Sequence, residues 1–198
     1  MAVIVAASKN RHKIEEIEAI TKKYGMDVIS RSEAGVPDSL EIEEDGETFE
    51  ENSLKKALGI LTVCGKPTIA DDSGLMVDCL DGAPGVWSGR FAGETASDEE
   101  NNRKLVELLK DVPEEQRAAK FVSVITLVFP DGETLVARGE CRGRMILEPA
   151  GDNGFGYDPL FVPEGHDRTF AQLTPEEKNR ISHRARALKE LERQLNAR

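Results

Sequence analysis

Positive charge is scarce in this chain of 198 residues: 26 Lys and Arg stand against 37 Asp and Glu, a formal charge of −11. A non-specific nucleic-acid binder needs a cationic footprint, so nucleic acid is not among the expected partners. Cysteine is equally scarce. Cys64, Cys79 and Cys141 are odd in number and form no CxxC pair, which fits a reducing compartment better than a disulfide framework. Long apolar runs are missing too. The longest, Phe121 to Phe129, holds Ser123 and Thr126 and is too short to span a bilayer, so no membrane association is expected. The apolar start, Met1 to Ala7, has no basic segment before it and meets charge at Lys9, unlike a signal peptide. A soluble cytoplasmic protein is the expectation. HExxH, GxSxG and zinc-type Cys/His spacings are absent, and Gly59 to Gly65-Lys66-Pro67 lacks the spacing and the Ser/Thr of a P-loop.

Hydrophobic residues make up 39% of the chain, enough for a real core, and no repeat or Pro/Ser linker divides it, so one domain over 1–198 is expected. Val3-Ile4-Val5 starts a buried-type strand. Asn10 reads as an N-cap, followed by an apolar stripe of Ile14, Ile17, Ile20 and Tyr24. Thr48 with Glu51, and Ser97 with Glu100, have the spacing of capping boxes ahead of helices. Thr68 to Ala70 is a strand that runs to its end at Asp71-Asp72-Ser73-Gly74. Phe121–Phe129 and Thr134–Arg144 flank Pro130-Asp131-Gly132 and read as a long hairpin. Thr174-Pro175-Glu176-Glu177 opens a last helix carrying Ile181, Ala185, Leu188, Leu191 and Leu195 on one face. Alternating strands and helices with an antiparallel hairpin predict a mixed α/β sheet.

Four segments could carry chemistry. Ser8-Lys9-Asn10-Arg11-His12-Lys13 lies between a strand and a helix, where free backbone N–H groups and the positive end of the dipole meet three cations; this suits a phosphate. A capped helix with a solvated basic first turn is the plainer alternative. Glu41, Glu43, Glu44, Asp45 and Glu47, with Asp71 and Asp72, offer the hard oxygen ligands that Mg²⁺ takes, although a solvated acidic loop has the same composition. Gly151 to Pro159 lets backbone approach a ligand and offers Phe155 and Tyr157 as flat faces for a base; a glycine-rich turn would look alike. Ser182-His183-Arg184, just after Lys178, has donors for a carbonyl-bearing base or is a basic surface turn.

Together and in this order, with Gly82-Ala83-Pro84-Gly85, these segments resemble the inosine triphosphate pyrophosphatase family of non-canonical purine nucleotide hydrolases. The resemblance runs from residue 3 to the last helix. It departs in the first motif, where bacterial members often read Thr-Gly-Asn and this chain reads Ser8-Lys9-Asn10. It implies an elongated two-lobed α/β fold with the active site in a central cleft, a homodimer, and Mg²⁺-dependent hydrolysis of ITP, dITP and XTP to monophosphate and pyrophosphate. That activity keeps such nucleotides out of DNA and RNA. The resemblance further implies that Ser8, Lys9, Asn10, Arg11, His12 and Lys13 cradle the triphosphate, with Lys13 as the main cation. Glu43 or Glu44 and the pair Asp71 and Asp72 hold Mg²⁺, Asp72 accepting the proton of the attacking water. Ser73 contacts substrate, Phe155 stacks on the base, Gly156, Tyr157 and Asp158 shape its pocket, and Lys178, His183 and Arg184 read its edge. Two other functions fit parts of the pattern: a Maf-like pyrophosphatase acting on pyrimidine or modified nucleotides, and a nucleotide sensor without catalysis.

Overall fold

The computed structural model describes residues 2–197. Among them, six strands form one sheet in the order β2-β1-β3-β4-β5-β6: β1 Ala2–Ala6, β2 Met26–Ile29, β3 Thr68–Val77, β4 Ala118–Val128, β5 Thr134–Met145 and β6 Phe161–Pro163. The described helices are α1 Arg11–Thr21, α2 Phe49–Cys64, α3 Asp98–Leu109, α4 Pro175–Ile181 and α5 His183–Asn196. β1 pairs in parallel with β2 and with β3, while β5 and β6 are antiparallel, so the mixed α/β class read from the sequence is the one found.

The chain divides into two compact units. The first comprises 1–72, 123–139 and 184–198. Its strands bury alternate residues in two clusters, as the period-2 geometry of a strand covered on both faces requires. Ile4, Ile69 and Leu127 join Ile17 and Ile20 of α1 and Leu188 and Leu191 of α5; Val5, Ala70 and Val128 join Ala57 and Ile60 of α2. Burying each Leu or Ile stabilises by roughly 1.5–3 kcal/mol. The second unit, 73–122 and 140–183, has one core built on Leu75, Val77, Leu105, Leu109, Phe121, Tyr157, Phe161 and Phe170.

The starts of α1 to α4 follow the sequence signals. Asn10 accepts the N–H of Lys13, and Ser97 with Glu100 and Thr174 with Glu177 close full capping boxes. At α2 the box is half closed: Thr48 accepts the N–H of Glu51, but the Glu51 carboxylate takes the N–H of Glu47 instead of the cap residue's own. Two expectations need correction. Asp71-Asp72-Ser73-Gly74 does not end its strand, because β3 continues through Leu75 and Val77, both buried in the second core. The last helix is also two. Ser182 has extended backbone (ψ 159°), which ends α4 and lets α5 begin afresh at His183. The short strands β2 and β6 have too few residues to show a period and were not legible.

Candidate active site

In the first unit the sheet register creates the first cluster. β1 stops at Ala6, opposite Ile69, and Ala7 N–H still bonds the Ile69 carbonyl at 2.9 Å, while β3 runs on. Asp71 and Asp72 therefore lie beside the turn that opens α1. Of the cations in that turn, Lys9 pairs with Glu41 (2.5 Å) and exposed Arg11 with Glu15 (2.9 Å). Lys13 turns inward, 3.1 Å from Asp71 Oδ2. The Ser8 hydroxyl accepts the N–H of Asn10, and His12 is exposed.

Asp71 is fully buried and surrounded by donors. Ser123 Oγ donates to it at 2.5 Å, and Arg184 donates through Nε (3.3 Å) and Nη2 (3.1 Å). Arg184, also fully buried, reaches Glu16 on α1 with its other nitrogen. Burial by itself would raise the Asp71 carboxyl, but Arg184 and then Lys13 outweigh it and hold Asp71 well below the usual carboxylate range.

Asp72 has a different environment. Its Oδ1 accepts from Lys56 Nζ at 2.8 Å, and the same ammonium reaches Glu44 (3.1 Å) and the Asp71 carbonyl (2.9 Å). Its Oδ2 is buried with no hydrogen-bond partner among the described residues. Burial pushes the Asp72 carboxyl up against the opposing pull of Lys56 and Lys13. Burial works against the charge on Lys56, yet Asp72 and Glu44 outweigh it and keep its pKa above the ordinary value. Glu43 is exposed, so Glu44 is the member of that pair that meets the cluster. Asn52 of α2 fixes the backbone beside it by accepting the Gly46 N–H at 2.8 Å; a Cβ on Gly46 would lie 2.6 Å from that oxygen.

The second unit holds the second cluster. Lys178 Nζ donates to buried Asp158 Oδ2 at 2.7 Å, the same oxygen accepts the Phe155 N–H at 3.1 Å, and the ammonium stands 5.0 Å from the Phe155 ring centroid. Gly154 makes this possible: φ is +74°, and a Cβ there would lie 2.1 Å from Asp158 Oδ2. His183 stacks on Phe121, centroids 4.8 Å apart and 15° between planes. Tyr157, expected to offer a flat face, is instead buried with its hydroxyl donating to the Ser88 carbonyl at 2.7 Å. Ser73, half-buried, belongs to this unit.

The sequence triplet Ser182-His183-Arg184 is thus divided. His183 packs into the aromatic cluster, whereas the guanidinium of Arg184 is bound by Asp71 and Glu16. Asp71, grouped with the metal ligands, has both oxygens engaged by protein donors. Lys56 was missed, although a signal existed: the buried stripe of α2 runs Phe49, Asn52, Ser53, Lys56, Ala57 and Ile60, and a lysine on such a stripe needs a partner. Glu16 and Ser123 carried no signal, because only the fold brings them to Asp71.

Similarity to known proteins points the same way. The dITP/XTP pyrophosphatase of Clostridium perfringens is 47% identical over 201 residues, covering 98% of this chain and 98% of its own. That of Escherichia coli O157:H7 is 46% identical over 191 residues, covering 96% and 95%. Among solved structures, the HAM1 protein of Coxiella burnetii matches with TM-score 0.87 at 42% identity, covering 100% of each chain. The Staphylococcus aureus Ham1 protein matches with TM-score 0.86 at 42% identity over 98% of each. The Ham1 family profile matches residues 4–194, which takes in every side chain of both clusters, and the chain belongs to the Ham1 family.

Proposed function

We propose that this chain hydrolyses the non-canonical purine nucleoside triphosphates dITP, ITP and XTP to the monophosphate and pyrophosphate, as one pyrophosphatase domain over residues 1–198. Relatives named dITP/XTP pyrophosphatase match it over nearly their whole length. The observation that carries the chemistry is Asp72 Oδ2, a buried carboxylate oxygen with no partner among the described residues, beside the buried ammonium of Lys56. An unmet buried acceptor costs about 1–3 kcal/mol and is kept where something else satisfies it in the working state.

The oxygen donors of Asp72 and Glu44 fit a hard divalent cation, and we assign Mg²⁺ to them. Bound there, Mg²⁺ would supply charge neutralisation for the triphosphate and polarise its phosphorus. Lys13 and the backbone N–H groups at the start of α1 bind phosphate oxygens and stabilise charge on the departing pyrophosphate. Asp72 accepts the proton of a water whose oxygen attacks the α–β anhydride; the P–O bond to the leaving group breaks as the new one forms. The unpartnered Oδ2 leaves Asp72 an oxygen able to take that proton, as a general base must. No covalent protein intermediate is required. We assign the purine to the second cluster, with Phe155 stacking on it and Lys178, held by Asp158, donating to its 6-oxo group. Asp71 and Arg184 hold Lys13 in place and touch no substrate. No helix among the described residues is long and apolar enough to cross a membrane, and a cytoplasmic homodimer is the form we assign on the family likeness.

Pyrophosphate release from ITP, XTP, GTP and ATP, with and without Mg²⁺, tests this reading. ITP and XTP turnover that needs Mg²⁺, with ATP a poor substrate, is expected. Faster turnover of dTTP or UTP than of ITP would overturn it.

A further inference from the structure

The loop that carries Phe155 and Asp158 is gripped from α3 by two side chains with no role so far. Asp98, at the start of α3, accepts the Gly156 N–H at 2.8 Å; Asn102, one turn on, donates from Nδ2 to the Gly156 carbonyl at 3.0 Å. Residues four apart share a helix face, so a single face of α3 takes both backbone groups of one loop residue. The same two side chains, with Phe155 and Gly156, line a cavity of about 500 Å³ in the second unit.

Asn101 provides a contrast. Its carboxamide is spent in full on another segment, accepting from Ala92 N–H (2.8 Å) and donating to the Gly89 carbonyl (3.1 Å). Asn102 uses only its amide nitrogen, and its Oδ1 is buried with no partner among the described residues. Asparagine is a poor helix-interior residue, and an unmet buried oxygen adds to that cost, so helix stability does not account for it. The bond to Gly156 does. Asp98 also acts on the residue after Gly156: after burial, its charge is what pushes the Tyr157 phenol up.

We propose that Asp98 and Asn102 are positioning residues for purine discrimination, clamping Gly156 so that Phe155 and the Asp158–Lys178 pair meet the base in one fixed arrangement. The proposal rests on the assignment of this loop to the base. It leaves the phosphate chemistry, which the first cluster carries, untouched.

The test compares Asp98→Ala, Asn102→Leu and the double variant with wild type in kcat/KM for ITP and for ATP, and in inhibition by inorganic tripolyphosphate, which has no base. Each single variant should lower kcat/KM for ITP about fivefold and the double about tenfold or more, through KM, with ATP little changed. Tripolyphosphate inhibition should stay at the wild-type level. Asp98→Asn keeps an acceptor for the Gly156 N–H and should recover most of the ITP preference. Glu107→Ala, which removes an exposed α3 carboxylate that pairs with Lys110 outside that cavity, should leave the ITP-to-ATP ratio unchanged. An unchanged ratio in a folded double variant, or equal losses on ITP and ATP, would overturn the clamp while the assignment of the loop stands. A wild-type protein that does not prefer ITP would overturn that assignment, and the clamp with it.

Discussion

The two clusters are built from opposite materials. In the first unit the groups are charges: Asp71, Asp72, Glu44, Glu16, Lys13, Lys56 and Arg184 come from widely separated parts of the chain and pair with one another, most of them buried. In the second they are rings and backbone: Phe155, Phe121 and His183, with the buried ion pair Lys178–Asp158 and a loop held by hydrogen bonds. Ionic chemistry on phosphates needs charges fixed before the substrate arrives, because reorganising them during the reaction would cost what the site is meant to save. Choosing between purines needs flat surfaces and few donors, since one wrongly met polar group is enough to reject a base.

Removing Arg184 should have the largest effect, and on stability. Arg184→Met takes from buried Asp71 a partner that donates to both of its oxygens, and loss of a buried ionic partner costs about 3–5 kcal/mol. The Asp71 carboxyl is depressed in the folded protein, so its contribution is present above its unfolded value and fades as pH falls through the folded one. The gap between wild type and variant in urea melts should therefore be widest at neutral pH and narrow below about pH 4. A gap that is constant from pH 7 to pH 3 would mean that the cost is packing and not charge. Where the variant folds, ITP, XTP and ATP should lose activity in equal proportion; a selective loss on ITP would return Arg184 to the base.

Next comes Asp72→Asn, which keeps shape and removes the proton acceptor. The expected loss in kcat is about a hundredfold or more for every purine, in a protein that still melts cooperatively but at a lower temperature, because buried Lys56 loses a charged partner. Turnover near wild type in the folded variant would take Asp72 out of the reaction. Lys178→Met should have a smaller effect than either, and a selective one: kcat/KM for ITP falls about tenfold, ATP changes little, and the ratio between them narrows. Tripolyphosphate inhibition that weakens with Lys178→Met would blur the contrast between the clusters by giving this lysine a phosphate role.

How much of each cluster could be read in advance differs for the same reason that they differ in substance. Asn10 as a helix cap, Phe155 among glycines and the pair Asp71-Asp72 are local patterns, because a cap, a close backbone approach and a buried acidic pair are set within a few residues. Lys56 was half legible, as a cation on the stripe that α2 buries. The division of His183 from Arg184 was not legible: one peptide bond separates a ring stacked on Phe121 from a guanidinium bound to Asp71 and Glu16.

The sequence by itself determined the class of fold, the starts of α1 to α4 and the chemical inventory, since hydrophobic period, capping residues and side-chain pKa classes act over short stretches of chain. Tertiary structure decided which of the acids is free to act. Asp71 and Asp72 are neighbours with the same carboxylate, but successive strand residues point to opposite faces. One therefore meets Arg184, Lys13 and Ser123, while the other meets Lys56 and keeps an oxygen unpaired. That difference depends on which helices cover each face of β3, a long-range outcome that no local pattern around residues 71 and 72 encodes.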